Sequence, residues 1–420
     1  MTYAMSSIRR SALTCLALLG ALGCAEDREA PTAPQDQASQ ALSTQALFFT
    51  QVSAGASHTC GIASSGQTYC WGDNTAGELG NGTNTSSSKP VLVAGGLHFV
   101  QISAGTEYTC GVTSSNLAYC WGNNSNGQLG VASGAQSRPV AVSGGRRFQQ
   151  IRAGFDHTCA VTLFDVGFCW GKNRFGELGA NSTVVFSPTP LRVVGGLSWK
   201  RINAGGHHSC GVTTTNLAYC WGNNDGALGD GTFTDRRKPV PVVGGFKFGL
   251  VVAGGGGYTD EQNESPEDGH TCGVTTDSHG YCWGQNGEGE LGTGENSPSF
   301  QKTPTAISGG RSWRQVVAGW VHTCGVTNAN IAFCWGSNGF GQNGNGTTTG
   351  SRTPVRVSGT LAFSAVTTGP GPQLDAVYFG SHSCGITTTN RVYCWGDNQA
   401  GQLGDGTNTR RLTPVAVVGP

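Results

Sequence analysis

The chain has 420 residues, a length that admits one large domain or several small ones. Its 68 glycines and 12% charged residues suit many short strands and tight turns, and count against long helices built from Ala, Leu, Glu and Lys. Its 25 acidic residues match its 25 basic ones, so no positive excess points to nucleic acid. No apolar run reaches the ~20 residues that span a bilayer.

At the start of the chain, Arg9 and Arg10 precede an apolar run from Ser11 to Gly23, the charged and hydrophobic regions of a signal peptide. The run ends Leu19-Gly20-Ala21-Leu22-Gly23-Cys24. Small residues followed by Cys resemble a bacterial lipobox, with Ala21 where Leu is usual and Leu22 where a smaller residue is common. On that reading residues 1–24 form a signal peptide whose end, Cys24, is lipidated and becomes the mature N-terminus. The other reading is ordinary cleavage, with Cys24 a stray thiol. Residues 25–47, rich in Ala, Gln, Pro, Ser and Thr, are expected to be a flexible tether. The expected location is the bacterial outer membrane or cell surface, alternatively the periplasm or the medium. The membrane is touched through the lipid only.

Residues 48–420 carry fourteen cysteines in seven pairs of one spacing: Cys60 with Cys70, Cys110 with Cys120, Cys159 with Cys169, Cys210 with Cys220, Cys272 with Cys282, Cys324 with Cys334, and Cys384 with Cys394. Each second cysteine is followed by Trp-Gly, beginning with Trp71 and ending with Trp395. A recurrence of about 50 residues marks a repeat architecture. The repeats are expected at about 48–96, 97–145, 146–196, 197–245, 246–310, 311–359 and 360–420.

In the second repeat, Phe99 to Gly105 alternates as a strand A closed by Gly, and Thr109 to Thr113 is a strand B. A turn over Ser114-Ser115-Asn116 leads to strand C, Ala118 to Gly122, and Pro139 to Val142 supplies strand D. Four short strands per repeat with Gly-rich turns make a propeller blade. A B–C hairpin turning about Ser115 sets Cys110 opposite Cys120 and Val112 opposite Ala118, within disulfide range. Each bridge closes a loop of about 11 residues and on the chain-entropy argument stabilises its blade by about 3 kcal/mol. Zinc is the rival reading. Nine intervening residues, no paired C-x-x-C and an exported context count against it.

The unit A-G-x-x-H-x-C-G-V … Y-C-W-G-x-N-x-x-G-x-L-G-x-G, seen in Ala54-Gly55-Ala56-Ser57-His58-Thr59-Cys60 and in Trp71-Gly72-Asp73-Asn74 to Gly80, resembles the regulator of chromosome condensation (RCC1) family. The resemblance runs over about Phe48 to Pro420. It implies an all-β, seven-bladed propeller with four antiparallel strands per blade, and the cysteine pairs look like an adaptation of exported relatives that adds one disulfide to each blade. It also implies several functions: nucleotide exchange on a small nuclear GTPase with docking on chromatin, photoreception, ubiquitin-ligase modules, or inhibition of enzymes by secreted bacterial members. The fold does not choose among them. An exported chain meets neither a nuclear GTPase nor chromatin, and repeat three (Phe148 to Gly196) lacks an extra hairpin to prise a GTPase open.

Six repeats place His two residues before the first Cys (His58, His157, His208, His270, His322 and His382), and the second repeat has Tyr108. These read as structural residues whose ring nitrogen bonds backbone within the blade, rather than as metal ligands spaced around a ring. The repeated Trp residues read as packing anchors. Asp230 to Asp235, and Asp397-Asn398 with Asp405, faintly resemble calcium loops but lack the alternating ligands and terminal Glu, and turn chemistry explains them. No catalytic motif, metal set or cofactor fingerprint appears, so no catalytic residue, metal or cofactor is expected.

Function is better sought where repeats differ. Fifteen residues separate Gly254 from His270 and twelve separate Gly369 from His382, against two between Gly55 and His58. Both insertions fall in the A–B loop, which lies on the same face as the C–D loop. The first is acidic, with Asp260, Glu261 and Glu264. The second ends apolar, with Tyr378 and Phe379. Between them blade six carries Trp320-Val321, expected to be exposed. This face is expected to bind a protein partner, one with basic groups. In the bland alternative Tyr378 and Phe379 cover Trp320. The expected function is a monomeric, non-catalytic cell-envelope scaffold without nucleic acid. The alternative is a secreted enzyme inhibitor or a propeller enzyme acting at one face.

Overall fold

The computed structural model describes residues 47–255, 269–294, 299–370 and 381–420. The chain divides into Met1–Ser43 and Thr44–Pro420. The first unit, with Cys24 and most of the expected tether, lies outside the described residues.

The second unit holds strands β1 to β28 in chain order, grouped as seven four-stranded antiparallel sheets. Blade one is β1 (Phe49–Ala54), β2 (His58–Ala63), β3 (Thr68–Gly72) and β4 (Ser87–Leu92), paired in that order. The first strands of the other blades are β5 (Phe99–Ala104), β9 (Phe148–Ala153), β13 (Trp199–Ala204), β17 (Phe248–Ala253), β21 (Trp313–Ala318) and β25 (Phe363–Thr368). These A strands neighbour one another in a closed ring, β25 meeting β1, so they line the axis and the D strands lie outside. The molecule is a seven-bladed propeller.

The hairpins follow their local sequence. Cys110 pairs with Cys120 and Val112 with Ala118 in register. Asn116 takes the left-handed turn position at φ 64°, where Asn costs less than most residues. All seven cysteine pairs are disulfides, with Cα atoms 4.0–4.1 Å apart, the spacing of closely apposed cross-strand residues. The D strand of the second blade starts earlier than its sequence suggests, at Gln136. Its Pro139 is tolerated because an outermost strand has one side free of partners.

Every A strand carries a bulge that period-two alternation does not reveal. In β5 the register slips between Phe99 and Gln101. The extra residue puts Phe99 and Ile102, three apart, on the side facing the neighbouring blade, while Ser103 turns to the axis and Gln101 reaches the next inner strand. The same slip recurs in the other A strands.

The core is divided among the seven blade interfaces. Cys60, Cys70 and Leu79 of blade one pack on Phe99, Ile102 and Trp121 of blade two. Equivalent clusters repeat around the ring, and the last joins Cys384, Cys394 and Leu403 to Phe49 and Trp71. The motif tryptophans are fully buried there. Each removes roughly 150–250 Å² from water. The ring closes without exchanging a strand, since β25 to β28 stay together in the seventh sheet. The Phe49 N–H donates to the Asn390 carbonyl at 2.8 Å, and Trp71 Nε1 donates to the Gln402 carbonyl at 3.0 Å.

Candidate functional site

The repeated histidines do not bond backbone within their own blade, as the sequence suggested. Each reaches a hydroxyl of the next blade. His58 Nε2 lies 2.8 Å from Thr109 Oγ1, Thr109 donates to the Glu78 carbonyl at 3.1 Å, and Trp121 Nε1 donates to the same oxygen at 2.7 Å. The hydroxyl has one proton and it goes to the carbonyl, so the imidazole must be the donor from Nε2. Blade two thereby grips a ring nitrogen and a loop carbonyl of blade one. The same latch joins His157 to Ser209 (2.8 Å), His208 to Thr271 (2.7 Å), His270 to Thr323 (2.8 Å) and His322 to Ser383 (2.9 Å). His382 to Thr59 (2.7 Å) shuts the ring. In blade two Tyr108 serves instead, its hydroxyl donating to the His157 carbonyl at 2.7 Å.

Burial lowers the pKa of His58 to about 4 and of the other five to about 3, so all are neutral at pH 7. Nδ1 of His58, His157, His270 and His322 has no partner among the described residues. Each histidine is occupied in holding two blades together.

The C–D loops are built from the Asn of the Trp-Gly-x-Asn unit. Asn74 Oδ1 accepts the Leu79 N–H at 2.9 Å, while its amide donates to the Thr83 and Thr85 carbonyls at 3.0 and 3.1 Å. Two residues on from the loop's tip, Glu78 and Glu177 are buried and each accepts a main-chain N–H at 2.9 Å. Burial raises Glu78 to about 8 and Glu177 to about 7. Gln128 and Gln402 make the same bond with an amide oxygen at 2.9 Å. The turn reading of the Asp-rich loops also accounts for their contacts. Asp230 receives Arg236 at 2.8 Å and Thr232, and Asp405 receives Arg411 at 2.7 Å and Thr407. Burial opposes ionisation of both carboxyls, yet these hydrogen bonds hold them below the usual range. Among the described residues no group of His, Cys, Asp or Glu comes together as a metal site.

The A–B loops surround the axis on the same face. Ala56, Ser57, Thr106, Phe155, Asp156, Gly206 and His207 are buried at this step in blades one to four. In blade six both residues, Trp320 and Val321, remain partly exposed. Trp320 is half-buried rather than fully exposed as expected. The other proposed members of this site, Asp260, Glu261, Glu264, Tyr378 and Phe379, lie outside the described residues, as does the cover expected from the last two.

At the centre of the face lies a cavity of about 290 Å³ in the channel between the A strands. Its wall is uneven. Blades three and four contribute Arg152 and Asn203, whereas blades five to seven contribute Leu250, Val252, Val317 and Ala365 beside Gln315, Thr367 and Thr368. Sequence reading missed this feature because a strand alternation without the bulge does not show which residues face the axis.

The regulator of chromosome condensation (RCC1) repeat matches residues 65–112, 115–161, 168–212 and 279–326, and a second profile of the same repeat matches 49–78, 99–128, 199–226, 313–342 and 380–402. The ultraviolet-B receptor UVR8 of Arabidopsis thaliana is 28% identical over 240 residues, which cover 56% of this chain and 50% of the receptor. The chain thus spans about half the length of that relative. Human WBSCR16 superposes with a TM-score of 0.71 at 19% identity, covering 84% of this chain and 94% of that one. Yeast Prp20, solved with Kap60, superposes at 0.68 and 16%, covering 95% and 91%. The two structural likenesses speak to fold alone. The matched repeats, the blade count and the strand order agree, and this chain belongs to the regulator of chromosome condensation repeat family.

Proposed function

We propose that the chain is a non-catalytic binding scaffold of the cell envelope that captures a protein partner on the A–B face at blade six. The observation that carries this reading is the Trp320-Val321 step, the described A–B step at which both residues stay partly exposed. A half-buried Trp is the kind of residue that dominates interface energy. The groups that elsewhere do acid–base work are neutral histidines and buried carboxyls already bonded within the frame. Seven disulfides support an oxidising compartment. In this reading a lipid on Cys24 is the tie to the membrane.

The test is affinity capture from native envelope extract with the full disulfide-bonded chain, and Trp320→Ala as the paired bait. A protein retained by the first bait should bind the second at least about thirtyfold more weakly, with the melting temperature unchanged. Equal recovery on both baits, or none on either, removes the blade-six site.

A further inference from the structure

The inner strands share a pattern of hydrogen-bond acceptors, and two of the departures from it are cationic. With the bulge counted, the fifth residue of each A strand lines the axial cavity, and the third residue bonds across to the next inner strand in four blades. At the third position Gln51, Gln101, Gln150 and Gln315 each accept a main-chain N–H of the next inner strand, at 3.0, 2.9, 2.9 and 3.1 Å. Blade four has Arg201 in this place, which cannot accept a bond. At the fifth position Ser53, Ser103 and Thr367 accept the corresponding N–H at 3.0, 3.0 and 3.2 Å. Blade three has Arg152 there.

Arg152 lines the cavity, and Arg201 stands beside it on the adjacent inner strand, near enough for its charge to act on Arg152. Arg152 Nη1 donates only to the Ile151 carbonyl, at 3.1 Å. The Arg201 guanidinium makes no hydrogen bond among the described residues, and neither arginine has an ion pair there. No acid stands among the described residues lining the cavity. Burial, and after it the Arg201 charge, lowers Arg152 to about 10. Two adjacent, partly buried guanidiniums without a counter-ion among the described residues repel each other, and an anion between them relieves both charges. Guanidinium forks suit carboxylate and phosphate oxygens. Opposite Arg152, Leu250, Val252, Val317 and Ala365 form an apolar patch, with Gln315 and Thr367 also on that wall, and the patch suits an apolar body. The cavity, about 290 Å³, is close to the lower end of small-molecule sites, roughly 300 Å³.

We infer that the channel is a binding site for a small organic anion, a carboxylate or phosphate on an apolar body. Arg152 on the cavity wall, with Arg201 beside it, takes the anionic group, and the apolar patch of Leu250, Val252, Val317 and Ala365 takes the body. This site goes beyond the partner face at Trp320 and does not depend on it.

The test is calorimetric titration of the full disulfide-bonded chain with octanoate, octyl phosphate and neutral octanol. The informative variants are Arg152→Ser and Arg201→Gln, because Ser and Gln already occupy these registers in other blades and the frame accepts them. Saturable binding of octanoate or octyl phosphate is expected, with octanol at least about tenfold weaker. Each variant should lose about tenfold in anion affinity, Arg152→Lys less, and octanol should be unaffected. The preferred head group, carboxylate or phosphate, follows from the two anionic arms. Octanol binding as tightly as the anions, undiminished anion binding in folded Arg152→Ser and Arg201→Gln, or no saturable binding of either anion to the native chain would overturn the inference.

Discussion

Thr109 shows how much one hydroxyl carries in this frame. It accepts the Nε2 proton of His58 and gives its own to the Glu78 carbonyl, all three groups being buried. Thr109→Ala leaves the imidazole N–H without an acceptor in a dry interface, and the cost of such an orphan exceeds the net worth of an ordinary hydrogen bond. A loss of about 2–3 kcal/mol is expected, seen as a lower urea midpoint. Thr109→Ser should stay within about 1 kcal/mol, because Ser209 and Ser383 occupy this position in the fourth and seventh blades. Equal losses in both variants would assign the effect to the missing methyl and not to the latch. None of this was legible in one repeat. The histidine and its place were plain, but its acceptor arrives from about 50 residues further along the chain, and the spacing within a unit cannot name it.

The hairpin was the most legible element, because everything that determines it lies within a short stretch: the cysteine spacing, the turn residue and the alternation between them. The A strand was half legible. Phe99 to Gly105 was seen as a strand, yet its bulge turns the residues after Phe99 by one step and so decides which of them meet the axis. That step hid Arg152 and Arg201 from a plain alternation. The blade-six step was legible as a departure from the pattern, while its half-burial depends on neighbours the sequence does not order in space. The hairpin also carries a prediction. Cys110 and Cys120 are both fully buried and belong to the core between blades two and three. Replacing both with Ala therefore removes a loop constraint and core packing together, for an expected loss of about 3–5 kcal/mol in urea unfolding. A loss well below about 3 kcal/mol would mean that six other bridged blades and the ring hold this hairpin without its bridge.

At the scale of the whole ring, the same buried groups set a pH optimum. The six latch histidines have folded pKa values of about 3 to 4, against about 6.5 in an unfolded chain. Between those values the unfolded chain binds protons that the folded one refuses. Their contribution is complete above pH ~6.5 and is lost as the pH falls toward 3. Glu78 and Glu177 act with the opposite sign. Burial keeps them protonated in the fold up to about 8 and about 7, so what they contribute is present below their unfolded pKa of 4.5 and lost as the pH rises through those values. Six groups outweigh two on the acid side, where stability should climb with pH by up to about 5 kcal/mol per unit, a net uptake of about four protons. On the alkaline side only the carboxyls act, giving a shallower decline and a maximum between about pH 6 and 7. Urea unfolding from pH 4 to 9 measures both limbs. Glu78→Gln installs the residue of Gln128 and Gln402 and keeps their main-chain bond. It should flatten the decline above pH 7, by about 1 kcal/mol between pH 7 and 9, and leave the slope below pH 5 little changed. A flat profile from pH 4 to 6.5 would show that the histidines are not held neutral by the fold. An unchanged alkaline limb in Glu78→Gln would show that this carboxyl ionises with water at its side.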